Sequence, residues 1–315
     1  MRSARESTRS PLPVSTPDPP DSEASSRWLR LLSSLRPRQW TKNLIIFAPL
    51  LFAKSVFKDA AALKASLAVV SFCLLAGGVY LFNDWFDRER DRRHPEKRKR
   101  AVAAGLFSGR TVSAVVLLCW AAGGAIAYLA RPAFALVATA YLGLQIFYSL
   151  LLKKLVILDV VVIALGFVLR VLGGGVAISV PVSNWLYLCT LLLAVFLGFA
   201  KRRHELASLY AEAVSHRPNL NEYSLPLLDQ MISVVAASCI LAYGLYTVSQ
   251  ETIAKVGSDR LKFTVPFVIY GILRYLFLIH KRGAGGSPER VLLSDAPMMI
   301  NLVLFVAVAS WALYS

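Results

Sequence analysis

The apolar residues of this chain are clustered into long runs separated by short polar connections. A membrane-crossing helix takes roughly 20 predominantly apolar residues. On that measure nine runs qualify, at residues 40–57, 62–86, 109–129, 132–152, 156–178, 183–202, 230–250, 262–281 and 296–314. Pro49 interrupts the first of them. The pattern predicts an all-α, polytopic membrane protein with about nine transmembrane helices.

Composition places those runs in a bilayer. Hydrophobic residues make up 56% of the 315 positions and charged residues only 17%, too oily a balance for a soluble globule. The net charge of +16 belongs to the connections, as in a chain that is mostly bilayer helix, so nucleic acid is not an expected partner. Lys and Arg are sparse after odd-numbered spans, with only Arg131 between spans three and four and none between spans five and six. They are dense after even-numbered ones: Arg88 to Arg100, Lys153 and Lys154, Lys201 to Arg203, Lys281 and Arg282. Positive-inside bias then puts the amino terminus in the cytoplasm and the carboxyl terminus outside. The first 26 residues are rich in Ser and Pro and hold no apolar run. No cleavable signal peptide is expected in them, and residues 1–34 read as a disordered cytoplasmic tail before a membrane domain at 35–315. Cys73, Cys119, Cys189 and Cys239 each lie inside an apolar run and read as small core residues.

One boundary is different in kind. The run over 62–86 passes into "YLFNDWFDRERDRRHPEKRKR", Tyr80 to Arg100, with no turn signal between its apolar and charged parts. Charged residues at helix ends anchor spans in headgroups, which accounts for many of the Lys and Arg. It does not account for the carboxylates. In a helix continued through Asn83, the residues Asp84, Asp87 and Asp91 stack on one face, with Asn83 at its border. Three like charges on one stripe repel unless a cation sits among them. Such an oxygen-rich set suits Mg2+, which takes one or two carboxylates and completes its shell with water and substrate phosphates. The adjoining Arg and Lys repel a bare metal and attract a polyphosphate, so the combination predicts a pyrophosphate site.

The segment "NDWFDRERD" fits the NDxxDxxxD signature of the UbiA-type intramembrane prenyltransferase superfamily, which the chain resembles. "RPRQW" with Lys42, and "RKRAVAAG" after the aspartates, fall where that superfamily has its other marks. Within it the chain is most similar to the decaprenyl-phosphate phosphoribosyltransferase branch, through "RPRQWTKNLIIFAPLLF", "HPEKRKRAVAAG", "YSLLLKKLVILDV", "GFVLRVLGGGVA", "AKRRHEL", "PFVIYGILRY" and "GSPERVLLSD". The resemblance covers about residues 35–315. There are two departures from the superfamily pattern. "AKRRHEL" stands where a typical prenyltransferase has a second aspartate-rich motif, leaving Glu205 among Lys201, Arg202 and Arg203, and Ala101 replaces a usual Pro. A second metal is therefore not expected.

The resemblance implies a UbiA-like bundle as the catalytic domain, in the inner (plasma) membrane with its active site facing the cytoplasm. It implies Mg2+-dependent transfer of a 5-phosphoribosyl group from phosphoribosyl pyrophosphate to a polyprenyl phosphate, in cell-wall arabinan precursor synthesis. Asp84 and Asp87 would be catalytic, and Asn83, Asp84 and Asp87 would hold the metal. Candidate substrate contacts are Lys42, Asn83, Asp91, Arg98, Arg100, Tyr148, Lys153 and Arg170, with Lys201 and Arg202 for the lipid phosphate. Asp159 reads equally as a helix-start cap. Arg170, inside a span, reads equally as a structural partner of a buried acid. Gly173 to Gly175 predict close helix packing or a local break, and His94 and His204 read as solvated loop residues. A homo-oligomer is compatible with all of this. Two other functions stay open: prenyl transfer to an aromatic acceptor, against which the missing second motif speaks, and anion transport. A transporter calls for polar groups at the midplane of several spans, whereas here they gather at one interface.

Overall fold

The computed structural model describes residues 29–52, 60–94, 97–212, 222–282, 285–286, 291 and 294–314. Eight long helices build it: α1 Ala61–Phe86, α2 Gly109–Ala130, α3 Pro132–Leu150, α4 Leu158–Ala177, α5 Asn184–Glu212, α6 Leu225–Val248, α7 Val265–Arg282 and α8 Ala296–Tyr314. All eight are long and apolar enough to cross a bilayer, the seventh together with its 3-10 lead-in Arg260–Thr264. Local chemistry sets several starts. Ser108 and Ser224 cap α2 and α6 by accepting from the N–H groups of Thr111 and Leu227, at 3.2 and 3.3 Å, and Pro132 supplies a preorganised first residue for α3. α1 has 26 residues, about 39 Å at 1.5 Å per residue, against a hydrocarbon core of roughly 30 Å. Its surplus is the charged end.

Three expectations are corrected. The first predicted span, 40–57, is not a long α-helix: its described part is a 3-10 segment, Pro37–Phe47, followed by a short helix, Ala48–Phe52, and residues 53–57 lie outside the described ones. Eight long helices, not nine, are therefore found among the described residues. A 3-10 segment rises about 2.0 Å per residue, so these two pieces still extend roughly 30 Å. The span predicted to stop at 202 continues as helix to Glu212; its hydropathy falls at Lys201, but Lys, Arg and Glu are good helix formers. Residues 29–34, grouped with the tail by composition, are helical, and Leu31 and Leu35 are buried against Leu81, Val102 and Val112. The expected disorder of residues 1–28 lies outside the described residues.

Two apolar cores lie along the bundle. One gathers Ile46, Phe72, Phe134 and Tyr141 from the 3-10 segment, α1 and α3. The other gathers Phe196, Ile232, Tyr275 and Met298 from α5 to α8. α4 serves both, with Ala177 in the first and Val160 in the second. α4 runs unbroken through Gly173, Gly174 and Gly175, so these glycines serve close packing. A Cβ added at Gly174 would collide with the carbonyl oxygen of Ile46, and one at Gly173 would lie 3.1 Å from both Phe72 and Phe134. The missing side chains let the 3-10 segment lie against α4 backbone to backbone. The four cysteines carry no disulfide, and all but half-buried Cys189 are buried, as expected of core residues.

Gly174→Ala is expected to destabilise the protein by about 1–3 kcal/mol through overpacking. Gly124→Ala, at a position with nothing within 4 Å, is expected to stay within about 0.5 kcal/mol of the parent. Unfolding of both variants in detergent checks the pair, and equal stability of the two would remove the role given to Gly174.

Candidate active site at the charged end of the bundle

The aspartate motif stands where α1 runs out. α1 ends at Phe86, Asp87 leaves helical geometry at φ −89° and ψ 3°, and a short helix Arg88–Arg93 resumes at once. The break is shallow: the Asp87 N–H still donates to Asn83 O at 2.9 Å, and Asp91 N–H to Asp87 O at 2.8 Å. Asp84, Asp87 and Asp91 therefore keep to one side, as their spacing predicted. What neutralises them is protein.

Three basic side chains from three separate segments converge on the motif. Arg36 Nη2 donates to Asp84 Oδ1 at 2.5 Å. Arg100 Nη1 is shared between Asp84 Oδ1 at 3.0 Å and Asp91 Oδ2 at 2.7 Å. Lys153 Nζ meets Asn83 Oδ1 at 3.2 Å and both oxygens of Asp87 at 2.9 Å. Arg90 adds a second contact to Asp87 at 3.1 Å. Asp84 and Asp91 are buried, and Lys153 nearly so. Arg36 reaches its place through a left-handed residue conformation, φ 55° and ψ 60°, with its guanidinium over the Tyr80 ring at 5.1 Å.

A second charged cluster lies between α4 and α5. Arg202 Nε donates to Asp159 Oδ2 and its Nη1 to Glu205 Oε2, both at 2.6 Å. Arg202 is 2% exposed and Asp159 fully buried. Tyr223 donates to Asp159 Oδ1 at 3.1 Å and accepts the Ile157 N–H at 2.6 Å. Ile157 holds φ 67°, a costly state for a β-branched residue, and the Tyr223 bond helps to fix it. Burial pushes the Tyr223 phenol up to about 12, so it remains a hydroxyl donor at neutral pH. Tyr148 interacts electrostatically with Arg202. The two clusters are joined through the α3–α4 connection, which carries Lys153 and leads into Asp159 in the first turn of α4.

The predicted residues separate into groups on this geometry. Asn83, Asp84, Asp87, Asp91, Arg100 and Lys153 are brought together. Tyr148 belongs to the second cluster. Arg98 is exposed on the 3-10 turn Lys97–Lys99, and Lys42 is half-buried in the first 3-10 segment. Lys201 and Arg202 do not act as a pair: Lys201 is exposed, whereas both arms of Arg202 that face the acids are already committed. Arg170 belongs to the apolar interior, donating to Asn43 Oδ1 at 2.7 Å, Tyr141 Oη at 2.8 Å and Gly166 O at 2.9 Å. No acid of the aspartate motif is among these partners. His94 and His204 are half-buried, and His204 is on α5 rather than in a loop. Arg36 was missed as a site residue although "RPRQW" marked its segment; Tyr223 carried no sequence signal.

The donor set has the chemistry for a hard cation. Asn83 and Asp87 already direct three oxygens at the Lys153 ammonium, and oxygen-only donors suit Mg2+. Among the described residues no three His, Cys, Asp or Glu side chains close on one point. The predicted stripe of three carboxylates around one ion is thus divided, because Asp84 and Asp91 turn to Arg100 while Asp87 turns to Lys153.

The UbiA prenyltransferase family model matches residues 44–213. The chain belongs to that family. Relatives named decaprenyl-phosphate phosphoribosyltransferase are 32% identical over 90% of this chain and 92% of the relative in Mycolicibacterium smegmatis, and 30% identical over 90% and 86% in Corynebacterium glutamicum. Among solved structures, a UbiA homologue from Archaeoglobus fulgidus bound to GPP and Mg2+ superposes with a TM-score of 0.67, at 20% identity, over 92% of this chain and all of that one. This UbiA bundle is thus an integral, multi-pass membrane protein with eight apolar helices among the described residues.

Arg202→Ala strips the buried Asp159 carboxylate, and the partly exposed Glu205, of their cation. It is expected to lower stability by about 3–5 kcal/mol, whereas Lys201→Ala is expected to change it by less than about 0.5 kcal/mol. Thermal unfolding in detergent separates the two, and a mild effect of Arg202→Ala would make the second cluster dispensable.

Proposed function

We propose that the protein is a phosphoribosyltransferase that moves the 5-phosphoribosyl group from phosphoribosyl pyrophosphate to a polyprenyl phosphate, decaprenyl phosphate in its named relatives. The carrying observation is the convergence of Arg36, Arg100 and Lys153 on the aspartate motif. A diphosphate needs both halves of that mosaic: oxygens to hold its metal and cations to take its charge as it leaves.

In this reading Asn83, Asp84 and Asp87 would hold Mg2+, which would supply Lewis-acid stabilisation of the leaving diphosphate. Lys153 exchanges its carboxylate contacts for diphosphate oxygens, and Arg100 exchanges only its Asp84 contact for a phosphate oxygen while Asp91 keeps it in place. Arg98 is an outer phosphate contact. The reaction breaks the bond from C1 of the ribose to the diphosphate oxygen, with the electron pair leaving on pyrophosphate. A new bond forms from C1 to an oxygen of the lipid phosphate. The acceptor is already an anion near neutral pH, so no strong base is required, in keeping with a site built of Asp, Asn, Arg and Lys. Lys201, exposed on α5, and Lys42, on the first 3-10 segment, stand as contacts for the acceptor headgroup. Arg202, Tyr148 and Arg170 act as positioning residues. The product class suits cell-wall arabinan precursor synthesis. Prenyl transfer is the second reading, favoured by the family description and by the fold of a homologue solved with GPP.

Purified protein, labelled phosphoribosyl pyrophosphate and polyprenyl phosphate are expected to yield a labelled lipid. EDTA abolishes the signal and added Mg2+ restores it, and Asp87→Asn lowers turnover at least about 100-fold in a protein that still elutes as a folded species. Label transfer from a prenyl diphosphate instead would move the conclusion to the second reading.

The bundle lies in the inner membrane with the aspartate end in the cytoplasm, supported by the Lys and Arg gathered at that end. A cysteine introduced at Ser258 is expected to react with an impermeant thiol reagent outside intact cells, and one at His94 to be shielded. The opposite labelling pattern reverses the orientation.

A further inference from the structure

A polar cavity of about 240 Å³ opens beside Asp84. Its floor is Asp84 with both of its guanidinium partners, Arg36 and Arg100. Its walls add Arg30, Ser33, Ser34 and Lys99. Four cationic residues thus surround one carboxylate, and that carboxylate is already held by two of them. The cavity carries a positive excess with hydroxyls at its wall. Ser33 and Ser34 donate to Arg30 O at 2.7 and 2.9 Å, and a hydroxyl rotates freely to serve another acceptor.

Such a chamber has no use for an isoprenoid. Packing a prenyl chain here would desolvate guanidinium groups against hydrocarbon, a costly exchange. The diphosphate, for its part, is served by Asn83, by Asp87 one helical turn beyond Asp84, and by Lys153. Side chains three residues apart on a helix sit about 5–6 Å from one another, a separation comparable with the width of a pentose ring. An anion in the chamber and a diphosphate at Asp87 therefore bracket one sugar.

We propose that this chamber binds a phosphate monoester, the 5-phosphate of the sugar donor, through Arg30, Lys99, Ser33 and Ser34, separately from the diphosphate held at Asn83 and Asp87. The assignment rests on the phosphoribosyl reading of the site. It gives the segment ahead of the first span a chemical task, since Arg30, Ser33 and Ser34 all precede the Pro37–Phe47 segment. It also makes the chamber a determinant of donor specificity: a prenyl diphosphate has no phosphate monoester, apart from its diphosphate, to place there.

Two probes separate the chamber from the diphosphate site in the full-length enzyme: ribose 5-phosphate and inorganic pyrophosphate with Mg2+, each as a competitor of phosphoribosyl pyrophosphate. Losing two charge-assisted phosphate contacts is expected to weaken a ligand at least about tenfold. Arg30→Ala/Lys99→Ala should therefore raise the inhibition constant of ribose 5-phosphate at least about tenfold, leaving that of pyrophosphate and the KM for polyprenyl phosphate within about twofold. Ser34→Asp, which places a carboxylate in the chamber, should act in the same direction and keeps the test alive if the double variant fails to fold. Equal weakening of both probes, or of neither, overturns the assignment. A rise in the acceptor KM alone assigns the chamber to the lipid phosphate and overturns it as well. Failure of the underlying reading shows separately, in the parent protein, as the absence of any pentosyl transfer.

Discussion

A charge at the edge of the hydrocarbon layer is expensive unless it is matched, and the charged end of this bundle is organised by that cost. Asp84, Asp87, Asp91, Asp159 and Glu205 each contact a guanidinium or an ammonium. Three of these matches also join segments distant in sequence. Arg36 ties the turn ahead of the first span to α1, Lys153 ties the α3–α4 connection to α1, and Arg202 ties α5 to α4. Helix ends that would otherwise be free to splay are thereby held in register.

The two charged clusters solve the same problem in different ways. Around Asp87 the cation is a flexible ammonium, and around Asp84 it is a pair of guanidinium groups, each about one-third exposed. The guanidinium contacts are reachable from water and suited to exchange for phosphate. Around Asp159 the guanidinium is sealed in, with Tyr223 completing the carboxylate's bonds. A buried, satisfied pair of that kind holds geometry. The first cluster therefore has the character of a site and the second that of a brace beneath it.

The long helices were readable because hydropathy is a local property, and eight runs above the bilayer length leave little choice of fold. The aspartate stripe was readable for the same reason: helical spacing alone puts Asp84, Asp87 and Asp91 on one side. What escaped was pairing across the sequence. The basic run around Arg202 looked like a free phosphate cradle, because nothing near it in the chain announces Asp159, and Tyr223 is a single aromatic in a connection. Pro49 warned that the first span was irregular, but only packing against the side-chain-free face of Gly174 explains why a 3-10 segment is kept there. The reach of Arg36 depends on its left-handed backbone, which no pattern of residue types encodes for an arginine.

The order in which charge partners occur along the chain also bears on biogenesis, because the amino-terminal part is synthesised first. Arg36 lies 48 residues ahead of Asp84, and Arg100 follows Asp84 by 16. The acidic end of α1 thus emerges from the ribosome between a counter-ion already made and another close behind. Asp159 is placed differently: Arg202 comes 43 residues later and Tyr223 comes 64 later. α4 must enter the membrane with its acid unmatched and wait for α5 and the connection after it. Asp84 and Asp91 are thus matched early in translation, while the Lys153 contact to Asp87, 66 residues on, and the brace at Asp159 are both finished late.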